Sequence, residues 1–320
     1  MGRGADAVHQ FVGGQPALAH AVSGGMDPVR RGLVWILRPC KGRGASLTRA
    51  VHGLGMAALL LCTPAEPAAR AQPPPAVPCG EGRTFQNPLL EGTLADPMVL
   101  AYQGTFYLYA TGEVDGDRGT RVYTSTNLVD WTRGPVVFRP GRPHVWAPDV
   151  WRDPRSGRFY LYWTVSETVG VAVSDAPVGP FREVASWFPR AIDAHLFRDD
   201  DGRLYLYFVQ LPDFRIMVQR MASPTEPEGP PVELLRPESD WETRAGRVTE
   251  GPWMLKHQGR YYLLYSGSGA NTPDYAVGYA VAERPTGPFR RAPHNPIVRR
   301  GEGVYGPGHG CALQDHAGQW

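Results

Sequence analysis

GTFYLYAT (104–111), GRFYLYW (157–163), GRLYLYF (202–208) and GRYYLLY (259–265) are one phrase written four times, and GQW (318–320) begins a fifth. Their glycines stand 53, 45, 57 and 59 residues apart. A period near 50, with a glycine turn leading into alternating aromatics, marks sheet blades rather than helical pairs. Eight or nine residues before each glycine sits an acid or a histidine: Asp96, Asp149, Asp193, Glu250 and His309. One polar residue at the same place in each blade predicts five such groups around one axis.

Working outward, each repeat has the same order. An apolar run with the polar residue comes first, as in Asp96-Pro97-Met98-Val99-Leu100, followed by the glycine turn and the Tyr-Leu-Tyr strand. A strand of small residues follows, as in Val171-Ala172-Val173-Ser174, and then a loop shared by Pro177-Val178-Gly179-Pro180-Phe181 and Pro285-Thr286-Gly287-Pro288-Phe289. Short β-branched and aromatic runs between Gly, Pro and Asp turns, with no long apolar run of helical period, are an all-β pattern. Four strands in each of five repeats predict a five-bladed β-propeller over 83–320. Its last blade is expected to be incomplete at the C-terminus, unless residues around Thr84-Phe85-Gln86 complete it.

The first seventy-one residues differ. They carry eight basic residues against three acidic ones, a net +5, so the rest of a chain of formal charge +2 is −3. That balance leaves no basic face for nucleic acid. Lys41, Arg43 and Arg49 precede the apolar run Leu54 to Leu61, and Ala69-Arg70-Ala71 follows. This is the layout of a signal peptide cleaved near Ala71, and it predicts a secreted or periplasmic protein. The run is too short to span a bilayer. The alternative is a Gly/Ala/Arg-rich tail with a chance apolar stretch. Residues 72–82 read as a proline-rich linker. Cys40 and Cys62 belong to the leader, whereas Cys79 and Cys311 either pair in an oxidising compartment or stay as two thiols.

Three carboxylates from separate blades, Asp96, Asp193 and Glu250, suit acid–base chemistry at a glycosidic bond. Inversion needs a base to activate water and an acid to protonate the leaving oxygen, roughly 6.5–9.5 Å apart. A third carboxylate beside the acid would keep it protonated by like-charge repulsion. The alternative is that each acid merely bonds backbone N–H groups in Asp-Pro and Glu-Gly-Pro corners. Trp146 offers an aromatic face to a sugar ring, and His195 shares a strand face with Asp193. For both, packing within a blade is the competing role.

The runs Asn87-Pro88…Ala95-Asp96-Pro97, Trp146-Ala147-Pro148-Asp149-Val150, Ala191-Ile192-Asp193-Ala194-His195-Leu196-Phe197 and Thr249-Glu250-Gly251-Pro252-Trp253 resemble, in order, the motifs of glycoside hydrolase family 43. The resemblance implies an inverting hydrolase of arabinan, arabinoxylan or xylan on a five-bladed propeller. By the same resemblance Asp96 is the general base, Glu250 the general acid and Asp193 the residue that tunes and orients the acid. Asp149 falls in a structural or sugar-binding motif. His309, in Gly306-Pro307-Gly308-His309-Gly310, resembles the histidine that contacts a hydrated Ca2+ in the central channel, directly or through water. The expected activity is release of L-arabinofuranose, with D-xylose as the alternative. A non-catalytic carbohydrate-binding propeller would be expected to lack one of the three acids. A protein-interaction propeller would show periodic Trp-Asp and Gly-His pairs, and the chain has none.

Overall fold

The Tyr-Leu-Tyr phrases form the second strand of each of four consecutive antiparallel sheets. The computed structural model describes residues 89–320, apart from 91, 113, 302, 303, 316, 317 and 319. The leader, the linker, Cys40, Cys62, Cys79, Asn87-Pro88 and the segment around Thr84 to Gln86 lie outside the described residues.

Blade one is β1 (Leu94–Tyr102), β2 (Thr105–Gly112), β3 (Thr120–Ser125) and β4 (Thr132–Phe138), paired in that order. Blade two repeats the order with β5 (Val145–Arg152), β6 (Phe159–Val165), β7 (Thr168–Ser174) and β8 (Arg182–Pro189). In blade three, β9 (Ala191–Arg198), β10 (Leu204–Gln210) and β11 (Arg215–Ser223) are joined by two short strands on β11. These are β12 (Glu226–Pro227) and β13 (Val232–Leu235). The helical turn α1 (Asp240–Thr243) leads into blade four, made of β14 (Thr249–His257), β15 (Arg260–Gly267), β16 (Ala276–Ala282) and β17 (Arg290–Arg291).

Two of the repeat glycines close two-residue hairpins. Gln103 and Gly104 both have positive φ, at 48° and 76°, and so do Gln258 and Gly259 at 49° and 75°. A turn with both central residues left-handed matches the twist of the strands it joins, and glycine meets that demand without strain.

The blades hold one another through the aromatics of the repeat. Met98, Tyr109 and Val122 of blade one share a core with Val150, Phe159, Leu161 and Trp163 of blade two. Similar cores join blades two and three and blades three and four. The last tyrosine of each of the first three phrases also reaches into the next blade, whereas Tyr265 of the fourth donates to Glu242 Oε1 at 2.6 Å. Tyr109 donates to the Pro177 carbonyl at 2.6 Å, Tyr162 to that of Pro224 at 2.8 Å, and Tyr207 to that of Pro285 at 2.8 Å. The aromatic phrase and the proline loop are therefore two halves of one contact. A buried phenol must find an acceptor, and the loop carbonyl supplies it.

The fifth blade expected from the repeats is not formed among the described residues. After β17 the chain makes two isolated bridges, Val298 to Val277 and Gly301 to Val304, and then runs without strands. This Gly- and Pro-rich run nevertheless spans the gap between the first and last blades. The His309 N–H donates to Ser266 Oγ at 2.7 Å and Trp253 Nε1 to the Ala312 carbonyl at 3.1 Å, both in blade four. Cys311 and Leu313 pack against Leu94, Val99, Phe106 and Leu108 of blade one. Cys311 forms no disulfide among the described residues, and burial pushes its thiol up to about 12.

Candidate active site

Each inner strand breaks its pairing register at one place. The irregularity lies between Ala95 and Met98 in β1, between Trp146 and Asp149 in β5, between Ile192 and His195 in β9, and between Glu250 and Trp253 in β14. A residue in left-handed conformation sits in every one: Asp96 (φ 51°), Ala147 (44°), Asp193 (59°) and Gly251 (57°), with His309 (41°) in the fifth sector. Bulges bend a strand and re-aim its side chains, and non-glycine residues held left-handed store strain where the surrounding fold over-determines them.

This register corrects the expectation of five polar residues at one place. Asp96, Asp193 and His309 do occupy the bulge position. Glu250 stands one residue earlier, at the position of Trp146, because both pair with the hydroxyl residue of the second strand. Asp149 stands two residues later than the bulge residue, at the level of Met98, His195 and Trp253.

The bulge level is electrostatically connected. His309 Nδ1 lies 3.1 Å from Asp96 Oδ1 and 3.7 Å from Asp193 Oδ2. Thr111 donates its hydroxyl to Asp96 Oδ2 at 2.7 Å, the Gly251 N–H donates to Asp193 Oδ2 at 3.0 Å, and Tyr275 donates to Glu250 Oε1 at 2.7 Å. Gly251 allows this crowding, since a Cβ there would come within 2.9 Å of the His309 ring.

These surroundings push the carboxyls apart. Burial works to raise Asp96, but the facing His309, the Thr111 hydroxyl and the Ala147 N–H carry it below the usual carboxylate range. Burial raises Glu250, and the neighbouring Asp193 raises it further, to about 8 despite the Tyr275 hydrogen bond. Asp193 is itself raised, by burial and by Asp96, against the pull of His309. Burial works to lower His309, but Asp96 and Asp193 outweigh it and push the imidazole up to about 10. Near neutral pH the site therefore holds an ionised carboxylate on blade one and a protonated carboxyl on blade four. Two carboxyls driven to opposite states have the charge states that an acid–base pair requires.

The other expected residues divide. Trp146 is half-buried, and its indole N–H donates to Asp117 Oδ2 at 2.8 Å while His144 lies against the ring. It is a braced aromatic face one residue from the bulge. Asp149 is buried and its Oδ2 accepts the Leu196 N–H at 2.8 Å, which ties blade two to blade three. His195 is buried, stacked on Trp253 with ring centres 4.1 Å apart, and its Nδ1 is 3.4 Å from Asp149 Oδ2. Both side chains line, together with the bulge residues Asp96, Asp193 and His309, a cavity of about 20 Å3 that has room for about one water.

The Ca2+ expected in the channel meets a donor set that does not suit direct ligation. Among the described residues no three His, Cys, Asp or Glu side chains gather as a metal-binding group. His309 Nδ1 is committed to two carboxylates and the ring is held protonated. Only an ion that keeps its own water shell fits these residues.

Thr111, Ser266 and Tyr275 were not singled out from the sequence. Thr111 and Ser266, like Thr164, stand next to the end of their strands and seven residues after the repeat glycine, so that recurring hydroxyl was the available signal. Tyr275 had none, because its loop has no counterpart in the other repeats.

Comparison with known proteins agrees with this geometry. The model of "Glycosyl hydrolases family 43" matches residues 85–320. A β-D-galactofuranosidase of Aspergillus niger is 30% identical over 65% of this chain and 66% of its own length. An extracellular exo-α-(1→5)-L-arabinofuranosidase of Streptomyces chartreusis is 28% identical over 71% of this chain and 77% of its own. The crystal structure of an endo-1,4-β-xylanase from Bacteroides thetaiotaomicron superposes with a TM-score of 0.67 and 34% identity, covering 70% of this chain and 81% of that one. The chain thus spans about two thirds to four fifths of these proteins. With the bulged inner strands and the divided carboxyls in place, and with the family model matched over nearly the whole described region, the chain belongs to glycosyl hydrolases family 43, a family of glycoside hydrolases.

Proposed function

We propose that this protein is a secreted, inverting glycosidase that releases L-arabinofuranose from arabinan- or arabinoxylan-type plant polysaccharides. The observation that carries the reading is the opposed setting of two carboxyls, Asp96 against His309 and the Thr111 hydroxyl, and Glu250 buried beside Asp193, which drives them towards opposite charge states. Asp96, ionised, takes a proton from water as its oxygen attacks the anomeric carbon. Glu250, protonated, delivers its proton to the leaving oxygen as the glycosidic bond breaks. The sugar leaves with inverted configuration, and the proton taken by Asp96 must pass to solvent before the next turnover. Asp193 sits beside the acid and favours its protonated form, and the braced face of Trp146 suits a sugar ring.

Two relatives favour a furanose, because both are named for furanoside hydrolysis. D-xylose is the second reading, supported by the xylanase structure and by a 27% identical β-xylosidase of Bacillus subtilis. A non-catalytic binding propeller is disfavoured, since all three acids are present. A water-held calcium ion on the axis remains part of the proposal.

The test is proton NMR of the purified protein with arabino-oligosaccharides and xylo-oligosaccharides together. Free pentose whose first anomer is inverted supports the reading and names the sugar. A retained first anomer would remove Asp96 as a base, and no product from either substrate would favour the binding propeller.

A further inference from the structure

The inner strands repeat more than a bulge. Opposite the residue that precedes each bulge, the second strand carries Thr111, Thr164, Val209 and Ser266 in turn. The three hydroxyls do the same thing: each accepts the bulge N–H of the following segment. Thr111 Oγ1 accepts from Ala147 at 2.7 Å, Thr164 Oγ1 from Asp193 at 3.0 Å, and Ser266 Oγ from His309 at 2.7 Å.

Valine breaks the series. Val209 is fully buried and offers no acceptor. The Gly251 N–H, which is the next bulge N–H in line, donates to Asp193 Oδ2 at 3.0 Å instead. A buried N–H needs a partner, so removing one acceptor commits it to another. The exception falls at the one seam that has Asp193 on one side and Glu250 on the other.

We propose that Val209 is a positioning residue: by presenting no acceptor, it obliges the Gly251 N–H to hold the Asp193 carboxylate beside the acid Glu250. A hydroxyl at this position would make the seam like its three counterparts. It would take the Gly251 N–H and offer Asp193 its own hydroxyl instead, as Thr111 does to Asp96, exchanging the contact that sets where the carboxylate lies beside Glu250. The inference rests on the reading of Glu250 as the acid, and it adds the means by which the neighbouring carboxylate is kept in place.

The experiment compares Val209→Thr with Val209→Ala on two substrates, an arabino-oligosaccharide and an aryl arabinofuranoside with a good leaving group. For each, kcat and KM are separated and Tm is measured. Misplacement of a catalytic group by about 1 Å costs up to about 100-fold. Val209→Thr is therefore expected to lower kcat on the oligosaccharide by about 10- to 100-fold, with KM and the aryl-glycoside rate near those of the parent. Val209→Ala loosens the same packing without supplying an acceptor, so any loss falls equally on both substrates.

The proposal is overturned if Val209→Thr keeps the parental kcat on both, or if Val209→Ala reproduces the substrate-selective loss. Val209→Ser carries the same criteria should the threonine variant fail to fold. A crystal structure of the hydroxyl variant gives an answer independent of turnover: the Gly251 N–H must have moved from Asp193 to the new hydroxyl, and an unmoved N–H refutes the mechanism. A parent inactive on both substrates would instead remove the proposed function.

Discussion

Asp193 and Asp149 are both buried aspartates on inner strands, and each accepts one backbone N–H from the following blade. Their levels on the axis differ. Asp193 lies in the bulge, facing His309, with Asp96 near enough to raise it and Glu250 raised by it in turn. Asp149 lies two residues beyond the bulge residue of its strand, with His195 and the Leu196 N–H for company. The bulge level is strained, charged and proton-bearing, whereas the level below fastens blades together. Residue type and burial do not separate them; register does.

The sharpest way to break this contrast is to remove the two groups proposed to react. Asp96→Ala and Glu250→Gln should each lower kcat/KM on oligosaccharides by about 100- to 10,000-fold, with a cooperative unfolding transition retained. Glu250→Gln should spare aryl glycosides with good leaving groups, which need little protonation. Equal losses on both substrates would exclude Glu250 as the acid.

Asp149→Asn should do the reverse. Weakening the Leu196 N–H bond at a buried seam costs about 1–3 kcal/mol, read as a lower denaturation midpoint, while kcat stays within a few-fold. A large fall in kcat with unchanged stability would move Asp149 up into the reacting level.

The charge states predict a pH dependence. Activity should fall as pH rises through about 8, where Glu250 loses its proton, and again below the usual carboxylate range, where Asp96 gains one. Stability follows the same group. The folded state keeps on Glu250 a proton that the unfolded chain releases near 4.5, so stability declines as pH rises from about 4.5 to about 8. Glu250→Gln should flatten that decline in a series of melts. Tyr275→Phe removes a hydrogen bond that favours ionised Glu250, so it should move the alkaline limb of kcat upward; a downward move would contradict the assignment.

The smallest effect is expected from a calcium chelator. An ion held only through water should be worth a degree or two of Tm, leaving both pH limbs in place. No change in Tm or activity would take the ion out of the channel.

Much of this was legible in the chain, because the repeat is a local pattern with a local cause. Phe106-Tyr107-Leu108-Tyr109 and its copies alternate as a strand must, and the copies fell in the second strands of successive blades. The acids Asp96, Asp193 and Glu250 did converge on one axis. The level of Asp149 was not legible, since it was counted back from the glycine turn and the hairpins differ. Tyr102 pairs with Thr105 across two residues, whereas Arg152 pairs with Phe159 across six. Equal counts through unequal loops put Asp149 level with Asp96, where Ala147 stands. The hydroxyl clasps and Tyr275 depend on which blade faces which, and no spacing within one repeat records that.

The displacement of Glu250 by one residue from the bulge has a stereochemical meaning. A ring of equivalent positions would present a guest with the same group from each direction. Stepping a single carboxyl to the neighbouring position, in one blade alone, removes that rotational equivalence from an already chiral scaffold. The proposed inverting reaction, with water arriving on one face while the aglycone departs from the other, needs that inequivalence built in before any substrate arrives.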